Sequence, residues 1–289
     1  MRLISNIIII ISIIIITGCC RKGEKVSVVS SPSGDLKIKF FLSEKGSPNY
    51  LISYKDMVVI DSSGMNFEFQ NQQPLGENLE AYSILRESIF EEWEMPWGEQ
   101  RMVVNNYNEM KVLLRENISP NRKLNVIFKA YDDGIGFRYE FPEQDGVDSV
   151  FIMDENTQFN LTGDHTCWWI PGDWDIYEHL YNTTKFTDID AISKRNHYGL
   201  AQTYIPENAV NTPVTMKMDN GVHLSFHEAN LTNYSGMTLK VDKEKLSMTS
   251  ELVGSERHDY KVARALPFST PWRTIQISED AGGLIEAKL

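Results

Sequence analysis

Cysteine is nearly missing from this chain. Three occur in 289 residues, at positions 19, 20 and 167. Cys19 and Cys20 sit side by side at the end of an apolar leader, which leaves Cys167 alone. A disulfide framework and a paired-cysteine zinc site are therefore excluded. Cys167, next to Trp168 and Trp169, reads as a small buried hydrophobe rather than a nucleophile. Positive charge is also scarce: 28 Lys and Arg stand against 40 Asp and Glu, a formal charge of −12. That balance argues against nucleic acid as a partner. It is compatible with a neutral ligand or a divalent cation. The chain has no Gly-rich phosphate loop, no Ser-His-Asp order and no His-x-Glu metal spacing. Heptads, internal repeats, low-complexity linkers and amphipathic helices of more than three turns are also lacking.

The one long apolar run is at the start. Arg2 is followed by the isoleucine-rich stretch Leu3 to Ile16, too short for a comfortable membrane span. It ends in Ile16-Thr17-Gly18-Cys19, which resembles a bacterial lipoprotein signal. The expected division is a signal peptide over 1–18, a lipidated Cys19, an anchor linker over 19–25, and one domain over 26–289. An ordinary signal peptide cut at small residues is the alternative. Both place the mature chain outside the cytoplasm, and the basic residues after Cys19 favour lipid anchoring in the periplasm.

From residue 26 on, short apolar-polar alternations are separated by turn signals, about 8–12 residues apart, as in an all-β sandwich of antiparallel strands with few short helices. Leu36-Lys37-Ile38-Lys39-Phe40 alternates at period two, and Lys55-Asp56 closes a tight hairpin. Asp132-Asp133-Gly134 and Asp219-Asn220-Gly221 are further hairpin turns. Tyr82 to Leu85 is ambiguous between strand and helix. Glu91 to Glu99 reads as an irregular acidic, aromatic loop because of Pro96 and Gly98. Phe186 to Asn196 is mixed, and Leu200 to Ile205 reads as strand. About fifteen to eighteen strands are expected by these signals.

The richest stretch is Asp164 to Tyr181. Trp168-Trp169-Ile170 reads as a short strand ended by Pro171-Gly172. Asp173, Trp174, Asp175, Tyr177, Glu178 and His179 follow. Aromatic faces stack on the apolar faces of a sugar, and carboxylates accept from hydroxyls or hold a hard cation. Trp169 is thus a candidate sugar contact, with burial in the core as the alternative. His227 and Glu228 are adjacent, so in a strand they point to opposite faces. Both are candidates for substrate contact, and Glu228 for a metal as well. The alternatives are a packed histidine and a solvated loop acid.

These motifs together resemble glycoside hydrolase family 97, with several in the family's order. They are Pro96-Trp97-Gly98-Glu99, Asn106-Tyr107-Asn108-Glu109 and Asp133-Gly134-Ile135-Gly136-Phe137-Arg138-Tyr139, then Trp168 to Asp175 with Tyr177-Glu178. Leu224 to Leu231, Asn233-Tyr234-Ser235-Gly236-Met237 and Ser269 to Ile275 complete the set. The resemblance runs from about Val26 to the end, enough chain for a sizeable core. It implies calcium-dependent, exo-acting α-glycosidases, mostly α-glucosidases with some α-galactosidases. Their parts are an N-terminal β-super-sandwich, a catalytic (β/α)8 barrel and a small C-terminal β-domain. Only the first part has a counterpart here. The family's catalytic carboxylates lie on the barrel, so no residue of this chain is assigned as catalytic, and the chain alone is expected to be inactive. The resemblance also implies that Glu178 lends its carboxylate to a calcium ion in an active site completed by the barrel. The expected partners are an α-linked oligosaccharide and a barrel, even if separately encoded. The membrane is expected to be touched only through the lipid anchor. A stand-alone oligosaccharide-binding lipoprotein is the rival reading.

Overall fold

The computed structural model describes residues 26–289 apart from 99, 196, 197, 201 and 202. The expected signal peptide, Cys19 and the expected anchor linker lie outside the described residues. Twenty-one strands are found among those described. The first seven are β1 (Ser27–Ser30), β2 (Leu36–Leu42), β3 (Pro48–Tyr54), β4 (Met57–Gly64), β5 (Phe67–Phe69), β6 (Leu79–Glu94) and β7 (Met102–Glu116). Then come β8 (Lys123–Ala130), β9 (Gly134–Phe141), β10 (Ser149–Glu155), β11 (Gln158–Leu161), β12 (Thr166–Trp169), β13 (Asn182–Lys185) and β14 (Ala209–Asn211). The last are β15 (Val214–Lys217), β16 (His223–Ala229), β17 (Met237–Asp242), β18 (Ser247–Leu252), β19 (Val262–Ala265), β20 (Phe268–Ser269) and β21 (Trp272–Ser278). One short helix, α1 (Ala281–Glu286), follows.

The strands form two large antiparallel sheets and a small one. The first sheet runs β1-β2-β3-β4-β11-β18-β17-β14, and the second runs β13-β12-β15-β16-β21-β9-β8-β7-β6 with β20 beside β9. A three-stranded sheet runs β19-β10-β5. The period-two patterns supply the interface. Leu36, Ile38 and Phe40 point inward from β2, and Tyr50 and Ile52 from β3. They meet Phe128 and Phe137 of the opposing sheet, with ring centroids 5.7 Å apart for Phe40–Phe128 and 4.9 Å for Tyr50–Phe137. Phe159 and Phe226 close the same interface at 5.5 Å. Offset and tilted aromatic pairs of this kind add to the area they bury. The all-β sandwich is therefore as expected.

The turn chemistry holds as well. Lys55 and Asp56 both have positive φ, 48° and 63°, as a two-residue hairpin of the type matching strand twist requires. Gly221 has φ 96° in the Asp219-Asn220-Gly221 turn.

Two open readings are settled and two expectations are corrected. Tyr82 to Leu85 is strand, inside the sixteen-residue β6. Glu91 to Glu94 is not loop but the distal end of β6, in register with Asn105 to Met102 of β7. Beyond the core this two-stranded arm has solvent on both faces, so its sequence loses the alternation that marks a half-buried strand. Phe90 and Trp97 are 64% and 81% exposed there. The stretch from Leu200 to Ile205 shows no strand among its described residues. Tyr204 makes one isolated bridge to Asp173. Of the stretch Phe186 to Asn196, the described residues 186–195 hold two single-turn 3-10 helices, Phe186–Asp188 and Ile192–Lys194.

Cys167 is fully buried, and burial pushes its thiol up to about 12. The thiolate is the reactive form. In the native chain Cys167 should therefore resist a thiol reagent such as iodoacetamide at neutral pH and react only in denaturant. Rapid native labelling at Cys167 would contradict this packing.

Candidate functional site

The bend after β12 is built on one buried carboxylate. Asp173 is 1% exposed. Its Oδ1 accepts from the backbone N–H groups of Asp175 (2.9 Å), Ile176 (3.2 Å) and Thr203 (3.3 Å). The first two bonds form the Asx turn that an aspartate offers to the residues just after it. The second oxygen, Oδ2, meets His179 Nε2 at 3.1 Å, and both side chains are buried. Asn211, at the end of β14, clamps the same bend. Its Oδ1 accepts from the Asp173 N–H at 3.0 Å, and its amide donates to the Ile176 carbonyl at 3.0 Å. The bend is thus held at both ends, at Asp173 and at His179.

Between these anchors the chain turns outward. Tyr177 is 58% exposed, and beyond His179 Leu180 and Tyr181 are 79% and 62% exposed. Glu178 is exposed and has no hydrogen bond or ion pair among the described residues. A fixed loop therefore presents a free carboxylate among exposed aromatic groups.

The other residues fall differently. Trp169 is 1% exposed, and its indole N–H donates to Thr184 Oγ1 at 3.0 Å. It is a core residue with its polar edge satisfied, which corrects its reading as a sugar platform: strand alternation on β12 turns it inward with Cys167. His227 and Glu228 do point to opposite faces of β16, His227 exposed and Glu228 buried. Both carboxylate oxygens of Glu228 are engaged. Oε2 meets Arg273 Nη1 at 2.7 Å, and Oε1 accepts from the Met237 N–H at 2.9 Å. Glu228 is neither a solvated loop acid nor a free ligand group. Register explains this, since Glu228 lies opposite Arg273 in the β16–β21 ladder. Glu228 does line a cavity of about 510 Å³ shared with Trp174 and Tyr177. The structure gives no contact between His227 and Glu178.

Sequence reasoning missed the ionic cluster behind Glu228. Arg273 is fully buried and makes two parallel bonds to Glu155, both 2.8 Å. Tyr234 donates to Glu155 Oε2 at 3.0 Å, and Thr157 to Oε1 at 2.9 Å. Burial alone would lower the Arg273 pKa, but the charges of Glu155 and Glu228 outweigh it and hold the guanidinium firmly protonated. Nothing local in the sequence marks this cluster, because Glu155 and Arg273 are 118 residues apart.

The fold and this rim define a large antiparallel β-sandwich module with an anionic, aromatic bend. The family model for the glycosyl-hydrolase 97 N-terminal domain matches residues 29–289, and the chain belongs to that family. A glycoside hydrolase family 97 enzyme from Pseudoalteromonas sp. strain K8 superposes with a TM-score of 0.80 at 34% identity over 91% of this chain. That enzyme has also been solved in complex with acarbose. A retaining α-galactosidase from Bacteroides thetaiotaomicron is 22% identical over 87% of the chain. A β-arabinopyranosidase shares the fold, with a TM-score of 0.72 at 23% identity. The chain spans 37% of the Pseudoalteromonas enzyme and 38% of the α-galactosidase.

Proposed function

We propose that this domain completes the active site of a calcium-dependent exo-α-glycosidase by lending it the carboxylate of Glu178. The observation that carries the reading is the free Glu178 carboxylate, held outward by the Asp173, His179 and Asn211 brace. Calcium takes six to eight hard oxygen ligands and accepts carboxylates from separate segments. Glu178 fits as one such ligand. Among the described residues no group of three or more His, Cys, Asp or Glu side chains comes together as a metal site. We assign the remaining ligands to a partner surface, that of a catalytic barrel. Bound there, calcium would polarise sugar oxygens as a Lewis acid. The substrate class is an α-linked oligosaccharide, and the domain itself carries no catalytic residue. Its place is the periplasm, tethered through a lipid on Cys19.

The test is a chimera in which this chain replaces the matching N-terminal part of the Pseudoalteromonas enzyme. The chimera should hydrolyse p-nitrophenyl α-glucoside when calcium is added. Glu178→Gln should raise the calcium needed for half-maximal rate by at least roughly 10–100-fold, the loss seen even for groups that only support a metal's ligands. The chain alone should show no turnover. Saturable quenching of Trp fluorescence by malto-oligosaccharides, with a chimera indifferent to Glu178→Gln, would favour the stand-alone binding lipoprotein instead.

A further inference from the structure

A second site lies apart from Glu178, where the start of β3, the end of β4, the base of the β6–β7 arm and the segment joining β10 to β11 meet. It is a cleft of about 660 Å³, within the range of small-ligand pockets. Its lining is dominated by carboxamides: Asn49, Asn66, Gln73, Asn78, Asn156 and Gln158. Most of their capacity is unused. Asn66 Oδ1 is buried without a hydrogen-bond partner. Asn49 and Asn156 each spend only their N–H group, on the Ser47 carbonyl (2.8 Å) and on Glu68 (2.9 Å). Gln158 spends only its carbonyl, on the Gly64 N–H at 3.2 Å. Asn66 Oδ1 packs against Gly76, so the groups left to a ligand are the free carbonyls of Asn49 and Asn156 and the free N–H group of Gln158.

The cleft is also held open in advance. The buried pair Glu116–Arg122, 2.6 Å apart, contributes Glu116 to its lining. Arg122 reaches past Glu116 to donate to the Gln73 carbonyl at 2.7 Å and the Pro74 carbonyl at 3.0 Å, fixing one wall. Asn78, at φ 58°, fixes another by donating its N–H to the Lys45 carbonyl and accepting from Asn117, both at 2.8 Å. Gly76 has a purpose here, because a Cβ at that position would lie 2.3 Å from Asn66 Oδ1. Such preorganisation lowers the cost of binding.

The lining chemistry selects the ligand. Its charged groups are Glu77 and Glu116, and Glu116 is neutralised by Arg122. An anion meets no cation there. Carboxamides pair a donor with an acceptor, which matches vicinal hydroxyl groups. From this geometry we infer that the cleft is a second binding site, for a neutral oligosaccharide. It does not depend on the role proposed for Glu178.

Titration of the purified chain with maltotetraose, followed by side-chain amide NMR signals, tests it. Saturable shifts should appear at Asn49, Asn156 and Gln158. Trp fluorescence should stay unchanged, because no tryptophan lines the cleft. Asn156→Ala with Gln158→Ala should weaken binding about 5–10-fold, the expected loss of one to two hydrogen bonds. Gln73→Ala, at an exposed position, should weaken it without changing the melting temperature. Glu178→Gln should leave binding intact. Absence of saturable shifts would mean that the cleft holds only water and would overturn the assignment. So would binding lost in Glu178→Gln but kept in the cleft variants.

Discussion

Arg273→Leu should lose about 3–5 kcal/mol of stability, the usual result of removing one partner from a buried ion pair. Leucine fills much of the volume, so packing is not the main loss. The loss comes from Glu155 and Glu228, which stay buried without their cation. Glu155 would keep Thr157 and Tyr234 as donors, and Glu228 the Met237 N–H, but neither set supplies a charge. Against a typical domain stability of about 5–15 kcal/mol the change is large. A combined variant, Arg273→Leu with Glu155→Gln and Glu228→Gln, should recover part of the loss, since no bare charge remains. Urea unfolding of the three proteins checks both statements. A single variant as stable as the parent would mean that the cluster is solvated rather than buried.

The second large effect is expected at Asp173. Asp173→Ala removes the acceptor of three backbone N–H groups and the partner of His179. At about 1 kcal/mol per hydrogen bond the local cost is roughly 3–4 kcal/mol. The sandwich should stay folded, because the core lies elsewhere, while the bend from Trp174 to His179 loosens. Amide exchange of Asp175 and Ile176 should rise sharply, with strand amides of β16 and β21 unchanged. Asp173→Asn keeps one carbonyl oxygen for the Asx turn and should show a much smaller rise. If Asp173→Ala leaves those amides protected, Asn211 alone holds the bend.

What could be read from residues alone followed the range of each interaction. The hairpin turns Lys55-Asp56, Asp132-Asp133-Gly134 and Asp219-Asn220-Gly221 are set by neighbouring residues, so their positions were evident. Inward alternation on β2 and β3 was equally plain. The β6–β7 arm was misread at its tip because an exposed ribbon carries no hydrophobic period. At the candidate site, Glu178 is exposed, as its place in a polar bend suggests. The setting of Trp169 and Glu228 depended on which strands pair and in what register. Arg273 meets Glu228 only because β21 lies beside β16, a pairing across 45 residues. Asp173 was visible as one acid among several. Its burial and its hold on His179 came from β14 packing beneath the bend, which no local pattern records.

Calcium calorimetry on the chimera bears most directly on the proposed role of this domain. One calcium site per molecule is expected, with Glu178→Gln weakening it by at least roughly 10–100-fold while the unfolding curve stays unchanged. Equal calcium affinity in the parent and Glu178→Gln chimeras would contradict the assignment of that carboxylate to the metal.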